Sequence, residues 1–167
     1  MIKSKIFILM VGVFLSLGIF SATAMEPMMK PRSVIVGQKA PVFKLPNLNG
    51  SYESLDDVRK GKNAILFFWT TWCPHCRTQL KEIQVNKEKY VGKDFELILI
   101  DCGESKEQVM QYVNRNGITF NVFLDTDGQI SEQYQILGFP TFVFINQQGI
   151  ITAVEHHLPA NFSDYFK

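Results

Sequence analysis

The 167-residue chain is poor in cysteine: three residues are too few for a disulfide-stapled scaffold. It also lacks an excess of either charge. Seventeen Lys and Arg face 16 Asp and Glu, for a formal net charge of +1; with no broad basic field, nucleic acid is not an expected partner. No segment repeats at a period of about 20–50 residues, which excludes a solenoid. There is no glycine-rich phosphate loop and no nucleophile elbow, so phosphoryl and acyl transfer have no support. What is present is apolar mass: 46% of the residues, with 14 Phe and 5 Tyr. That is enough to bury a core, and the length suits one domain.

The first 24 residues read as an export signal. Lys3 and Lys5 give a positive start, residues 6–20 form an uncharged apolar run of 15, and Ala22-Thr23-Ala24 supplies small residues at signal-peptidase spacing. The run is shorter than the roughly 20 residues that span a bilayer; the alternative is an uncleaved N-terminal anchor. No cysteine lies near the cleavage site, which argues against a lipid-anchored protein. The expected location is periplasmic or otherwise extracytoplasmic, where disulfides form and persist. A cysteine pair there is read as redox chemistry or as a staple before it is read as zinc.

Residues 25–37 are polar, hold two prolines and show no period; they read as an N-terminal arm, with one domain over 38–167. Residues 40–45 alternate like a strand, 47–51 form a turn, and 52–55 return as a hairpin partner. Asn63-Ala64-Ile65-Leu66-Phe67-Phe68-Trp69 is a continuous apolar run, typical of a central strand buried on both faces. A helix is expected over 74–90, with Leu80, Ile83 and Tyr90 on one face. A second buried strand covers 95–101. Ser105 and Gln108 form a capping box for a helix that Gly117 ends. A strand at 121–124, a helix at 130–136, and strands at 141–145 and 150–155 around a tight turn complete the series. From Pro159 onward only a short helix fits. Strands alternating with helices imply a largely parallel sheet with helices on both faces, and the closing hairpin is expected to add antiparallel edge strands.

The chemistry is concentrated in Cys73-Pro74-His75-Cys76, a C-x-x-C where a buried strand passes into a helix. Residues three apart share a helix face, so the two sulfurs can meet. A cysteine at a helix N-terminus has its thiolate favoured by unpaired N–H groups and the positive end of the dipole. Pro74 suits the first turn because it has no N–H to leave unpaired, and a protonated His75 favours the thiolate further. Cys73 can then attack a partner disulfide, and Cys76 can resolve the mixed disulfide. Zinc usually needs four ligands; only Cys102 and the adjacent His156 and His157 remain as candidates. A purely structural disulfide gains little from closing so short a loop. Cys102 reads as a small core residue, with a third redox thiol as the sharper alternative. His156 and His157 read as solvated surface, with copper binding as the minority reading.

Ala40-Pro41-Val42-Phe43, Phe68-Trp69-Thr70-Thr71-Trp72 with the C-x-x-C, Gly103-Glu104-Ser105-Lys106, Leu124-Asp125-Thr126-Asp127 and Gly138-Phe139-Pro140-Thr141 together resemble the thioredoxin superfamily. Within it, the resemblance is to the exported TlpA/ResA-like thiol–disulfide oxidoreductases, a branch that includes cytochrome c biogenesis reductases. It spans residues 37–154. It implies a thioredoxin-like α/β fold: a mixed central sheet flanked by helices, with an N-terminal β-hairpin. It implies that Cys73 is the exposed nucleophile and Cys76 the shielded resolving thiol. It further implies a cis Phe139-Pro140 bond facing the dithiol, with Trp72, Phe139 and Pro140 binding substrate. No cofactor and no metal are implied. The expected partners are protein thiol or disulfide substrates and a membrane redox protein, in cytochrome c maturation or envelope disulfide formation. The alternative is a copper-handling binding protein of the same fold, although the C-x-x-x-C of copper carriers is absent.

Four positions depart from the branch. Pro74-His75 is the pair of DsbA-type oxidases. Phe67 stands six residues before Cys73, where many thioredoxins bury an acid, and Gln79 stands where ResA-like reductases often carry Glu. Pro74, His75 and Gln79 are therefore the expected tuning residues. Loss of both carboxylates favours an acidic Cys73 and a more oxidising couple.

Overall fold

Residues 36–91 and 93–166 are described by a computed structural model; the export signal at 1–24 and nearly all of the arm at 25–37 lie outside the described residues. Strands β1 (Lys44–Pro46) and β2 (Tyr52–Ser54) form an antiparallel hairpin. Its turn is tied by Asn47 Oδ1, which accepts from the Asn49 and Ser51 N–H groups. Pairing starts later than the expected residue 40, because Ala40 donates its N–H to Gly149 O instead and Pro41 has none to give. Ser54 and Asp57 form a capping box on α1 (Leu55–Arg59). Next come β3 (Asn63–Trp69), α2 (Pro74–Val85), β4 (Phe95–Cys102) and α3 (Lys106–Asn116), the last opened by the Ser105–Gln108 box and closed by Gly117 at φ 61°. Strand β5 (Asn121–Asp125), α4 (Gln129–Gln133), β6 (Thr141–Ile145) and β7 (Ile151–Glu155) follow.

Helix α2 stops five residues short of the expected end. Asn86 is its C-cap and donates both its backbone N–H, at 3.0 Å, and its side-chain amide, at 2.9 Å, to the Glu82 carbonyl. Tyr90, expected on the same helix face, instead stacks on Phe162 at 5.5 Å. Helix α4 likewise stops early, before Gln135, which takes a left-handed φ of 48°.

The main sheet has the order β5-β4-β3-β6-β7. β3 pairs in parallel with β4, and β4 with β5; β3–β6 and β6–β7 are antiparallel. The sheet is therefore mixed, as the resemblance implies, with two parallel and two antiparallel pairings where strand–helix alternation alone suggested a largely parallel one. Strand β6 is not the expected edge strand but lies inside the sheet, as suits a strand whose five residues are all buried. Residues 37–40 cover the true edge: Gly37 N donates to Ile151 O, and Ile151 N to Gln38 O.

Period-two alternation divides the core. Ile65, Phe67 and Trp69 of β3 face α2 and α3, together with Cys73, Cys76, Leu97 and Leu99. Ala64, Leu66 and Phe68 face α1, α4 and the hairpin, together with Ile98, Ile100 and Cys102. The chain end closes the first face: within a 3-10 turn at Phe162–Phe166, Phe162 meets Phe95 edge-on at 5.2 Å and Tyr165 stacks on Phe144 at 4.9 Å.

Candidate functional site

The parallel strands end where α2 begins, the usual place for chemistry in such sheets. Cys73 is the N-cap of α2 and its Sγ accepts the Cys76 N–H at 3.2 Å; Pro74 occupies the first helical turn, which holds no acid. Cys73 and Cys76 are disulfide-bonded, with Cα atoms 5.3 Å apart. Phe139-Pro140 is cis, and the Phe139 carbonyl oxygen lies 3.7 Å from Cys73 Sγ.

The expected contrast between an exposed Cys73 and a shielded Cys76 is smaller than the resemblance implies. Cys73 is only 4% exposed and Cys76 fully buried. The cause is the loop 136–139, which with Trp72 and His75 walls a groove of about 410 Å³ over Cys73. Trp72 is 65% exposed and meets the Phe139 ring edge-on at 6.2 Å, so it forms a rim rather than core. Leu137, which the sequence did not single out, is 97% exposed beside it.

A second groove of about 370 Å³ on the other side of the loop is lined by His75, Gln79, Pro140, His156 and His157. Gln79 is half-buried; its Oε1 accepts the Leu158 N–H at 2.9 Å and its Nε2 donates to Glu82 at 3.0 Å. His156 is not merely solvated: its Nδ1 lies 3.0 Å from Pro140 O. Phe67 is fully buried and stacks on Phe142 at 4.3 Å, filling with aromatic carbon the place of a buried acid.

Two acids near the dithiol escaped the sequence reading. Glu104, in the loop after β4, accepts the Thr71 N–H and the Thr71 hydroxyl, the latter at 2.6 Å, and so fixes the loop that delivers Cys73. Asp101 lies opposite Trp69 in the sheet register and is fully buried, with the side chain and backbone of Glu104 as its polar neighbours. Burial first, then the adjacent Glu104 carboxyl, push its pKa up to about 9. Glu104 was visible only as a motif letter, and Asp101 only as the end of an apolar run.

Cys102 is buried, and burial pushes its thiol up to about 12. It packs on the sheet face opposite Cys73 and Cys76, so it reads as a core thiol rather than a third member of the site. Among the described residues, no group of three or more His, Cys, Asp or Glu is placed to hold a metal ion.

A disulfide-forming pair at a helix N-terminus, set against a cis-proline loop on a mixed sheet of this order, defines a thioredoxin-like thiol–disulfide oxidoreductase. The comparisons agree. The chain belongs to the AhpC/TSA family, whose model matches residues 36–154. It is 34% identical to the thiol-disulfide oxidoreductase ResA of Bacillus subtilis over 122 residues, 73% of this chain and 68% of ResA. A putative thiol:disulfide interchange protein DsbE from Chlorobium tepidum superposes with a TM-score of 0.69 at 28% identity, over 79% of this chain and 93% of that one. A secreted disulfide oxidoreductase of Mycobacterium tuberculosis, described as homologous to Escherichia coli DsbE, gives 0.59 at 25% identity, over 71% and 84%.

Proposed function

We propose that this oxidoreductase works outside the cytoplasm on protein substrates, with Cys73 as the attacking thiol and Cys76 as the resolving one. The observation that carries this reading is the placement of Cys73 Sγ: at the N-cap of α2, beneath a groove, and 3.7 Å from a backbone carbonyl. In the reducing direction, the Cys73 thiolate attacks a partner disulfide. A mixed disulfide forms and the partner's other sulfur leaves as a thiolate, which takes up a proton. Cys76 loses its proton and attacks Cys73 Sγ, breaking the mixed disulfide and releasing the reduced partner. Two electrons have passed from the Cys73–Cys76 pair to the partner, and a second redox protein, expected in the membrane, restores the pair. In reverse, the same steps oxidise a dithiol. No cofactor enters either direction.

Trp72, Phe139 and Leu137 give substrate an apolar rim, and the loop backbone at 139, beside Cys73, is where an extended substrate segment would pair. The export signature at residues 1–24 and a secreted relative support the location. Cytochrome c maturation and envelope disulfide formation are the two settings this chemistry serves. Pro74-His75 at the helix start, with Phe67 and Gln79 in place of carboxylates, favours the more oxidising couple. A reduction potential at or below about −270 mV, the thioredoxin value, would contradict that part. The reading as a whole is tested by Cys76→Ala in the native host: it should retain envelope proteins as mixed disulfides on Cys73, identified by mass spectrometry. If trapping fails, or persists in Cys73→Ser, the assignment of roles is wrong.

A further inference from the structure

We propose that His156 is a positioning residue of the exchange site, its Nδ1–H holding the loop 138–141 so that the Phe139 carbonyl stays against Cys73. His156 Nδ1 lies 3.0 Å from Pro140 O and 3.2 Å from Thr141 Oγ1. A carbonyl oxygen only accepts, so Nδ1 carries the proton. The Thr141 hydroxyl donates to Gly138 O at 2.8 Å, which leaves its oxygen to accept from the same N–H. One imidazole therefore fixes Pro140 directly and Gly138 through Thr141. Phe139, between them, is the residue whose carbonyl meets Cys73 Sγ at 3.7 Å.

The same segment grips the other half of the site. Two residues beyond His156, the Leu158 N–H donates to Gln79 Oε1 at 2.9 Å, on α2 and within one turn of Cys76. Residues 156–158 thus strap the loop 138–141 to the helix that carries the dithiol. His157 lines the same groove without a hydrogen bond to the loop. The strap lies at the sheet's end rather than in its core, and His156 is itself exposed. Its removal should cost precision at the loop rather than the fold.

The proposal rests on Cys73 as the attacking thiol, and the experiment separates the two. Two rates are compared: turnover of a protein disulfide (insulin), and reduction of the Cys73–Cys76 disulfide by dithiothreitol, read by tryptophan fluorescence. An extended protein segment must pair with the loop; a small dithiol need not. His156→Ala should raise KM for insulin about five-fold, the equivalent of one neutral hydrogen bond, with kcat and the dithiothreitol rate within two-fold of wild type. His156→Asn places an amide donor where Nδ1 stood and should restore KM. His156→Gln, which moves the donor outward, should not, and His157→Ala should match wild type. Should His156→Ala fail to fold, the Asn and Gln variants carry the comparison. An unchanged KM in His156→Ala, equal loss of both rates, or no difference between Asn and Gln overturns the proposal. Turnover surviving Cys73→Ser overturns it together with the reading on which it rests.

Discussion

Asp101→Asn isolates the effect of a buried carboxyl on folding. Asp101 is fully buried beside Glu104 and has its pKa pushed up to about 9, chiefly by burial. In the unfolded chain the same group titrates near its ordinary value of about 3.9. A raised folded pKa gives stability that is complete below the unfolded value and lost as pH rises toward the folded one. Between about pH 4 and pH 9 the native state holds one proton more than the unfolded state, so unfolding free energy falls by about 1.4 kcal/mol per pH unit. From pH 5 to pH 7 that amounts to about 2.7 kcal/mol as an upper limit, a large share of a typical total of about 5–15 kcal/mol. Asparagine has no proton to lose. Its own burial penalty is the same at every pH and shifts the curve without tilting it. Urea unfolding of the disulfide form at pH 5, 6, 7 and 8 reads the difference directly. Asp101→Asn should gain on wild type by about 1–1.4 kcal/mol for each unit. Glu104 and Asp125 are the other acids felt by this carboxyl, and they remain in both proteins. Parallel curves, with a constant offset, would refute the argument.

Two further outcomes follow from neighbouring groups. Glu104→Ala leaves the Thr71 N–H and hydroxyl without their carboxylate, and should cost about 2–3 kcal/mol in urea unfolding. Glu104→Gln, which keeps one carbonyl acceptor, should cost less, and a loss below about 0.5 kcal/mol in the alanine variant would mean that this contact does not hold the loop. Cys102, with its thiol pushed up to about 12 by burial, should carry roughly one thiolate per ten thousand molecules at pH 8. The oxidised native protein should show no thiol reactive toward Ellman's reagent, and one after denaturation. Rapid native labelling would contradict the burial argument.

The parts of the fold legible in the sequence are those fixed by local pattern. The run 63–69 became the central strand because seven consecutive residues suit burial on both faces. Ser105, Gln108 and Gly117 fixed both ends of α3 because capping chemistry acts within a few residues. The errors came where partners distant in sequence decide. The apolar run 142–145 suits burial on both faces but does not say that β6 will lie antiparallel beside β3, and Tyr90 left its helix for a ring 72 positions further on, Phe162. The site divides in the same way. Cys73, Pro74, His75 and Cys76 are neighbours in one motif. Glu104 and His156 meet Thr71 and Pro140 across the fold, and Leu137 reaches the site only as a wall of the groove over Cys73, which no periodicity announces.

The division of β3 and β4 into alternating faces also explains how a third cysteine coexists with an exchange site. Cys102 directly follows Asp101, yet the two side chains point to opposite sides of the sheet: Leu97, Leu99 and Asp101 share one parity, Ile98, Ile100 and Cys102 the other. A one-residue slip in register would exchange them, bringing a thiol beneath the dithiol and a carboxyl into the packing around Phe68 and Tyr134. The β3–β4 register prevents that slip, since Asn63 through Trp69 pair one for one with Phe95 through Asp101, and shifting them would turn every buried side chain on β4 to the other face. The burial of Cys102 away from the dithiol is thus a property of strand register.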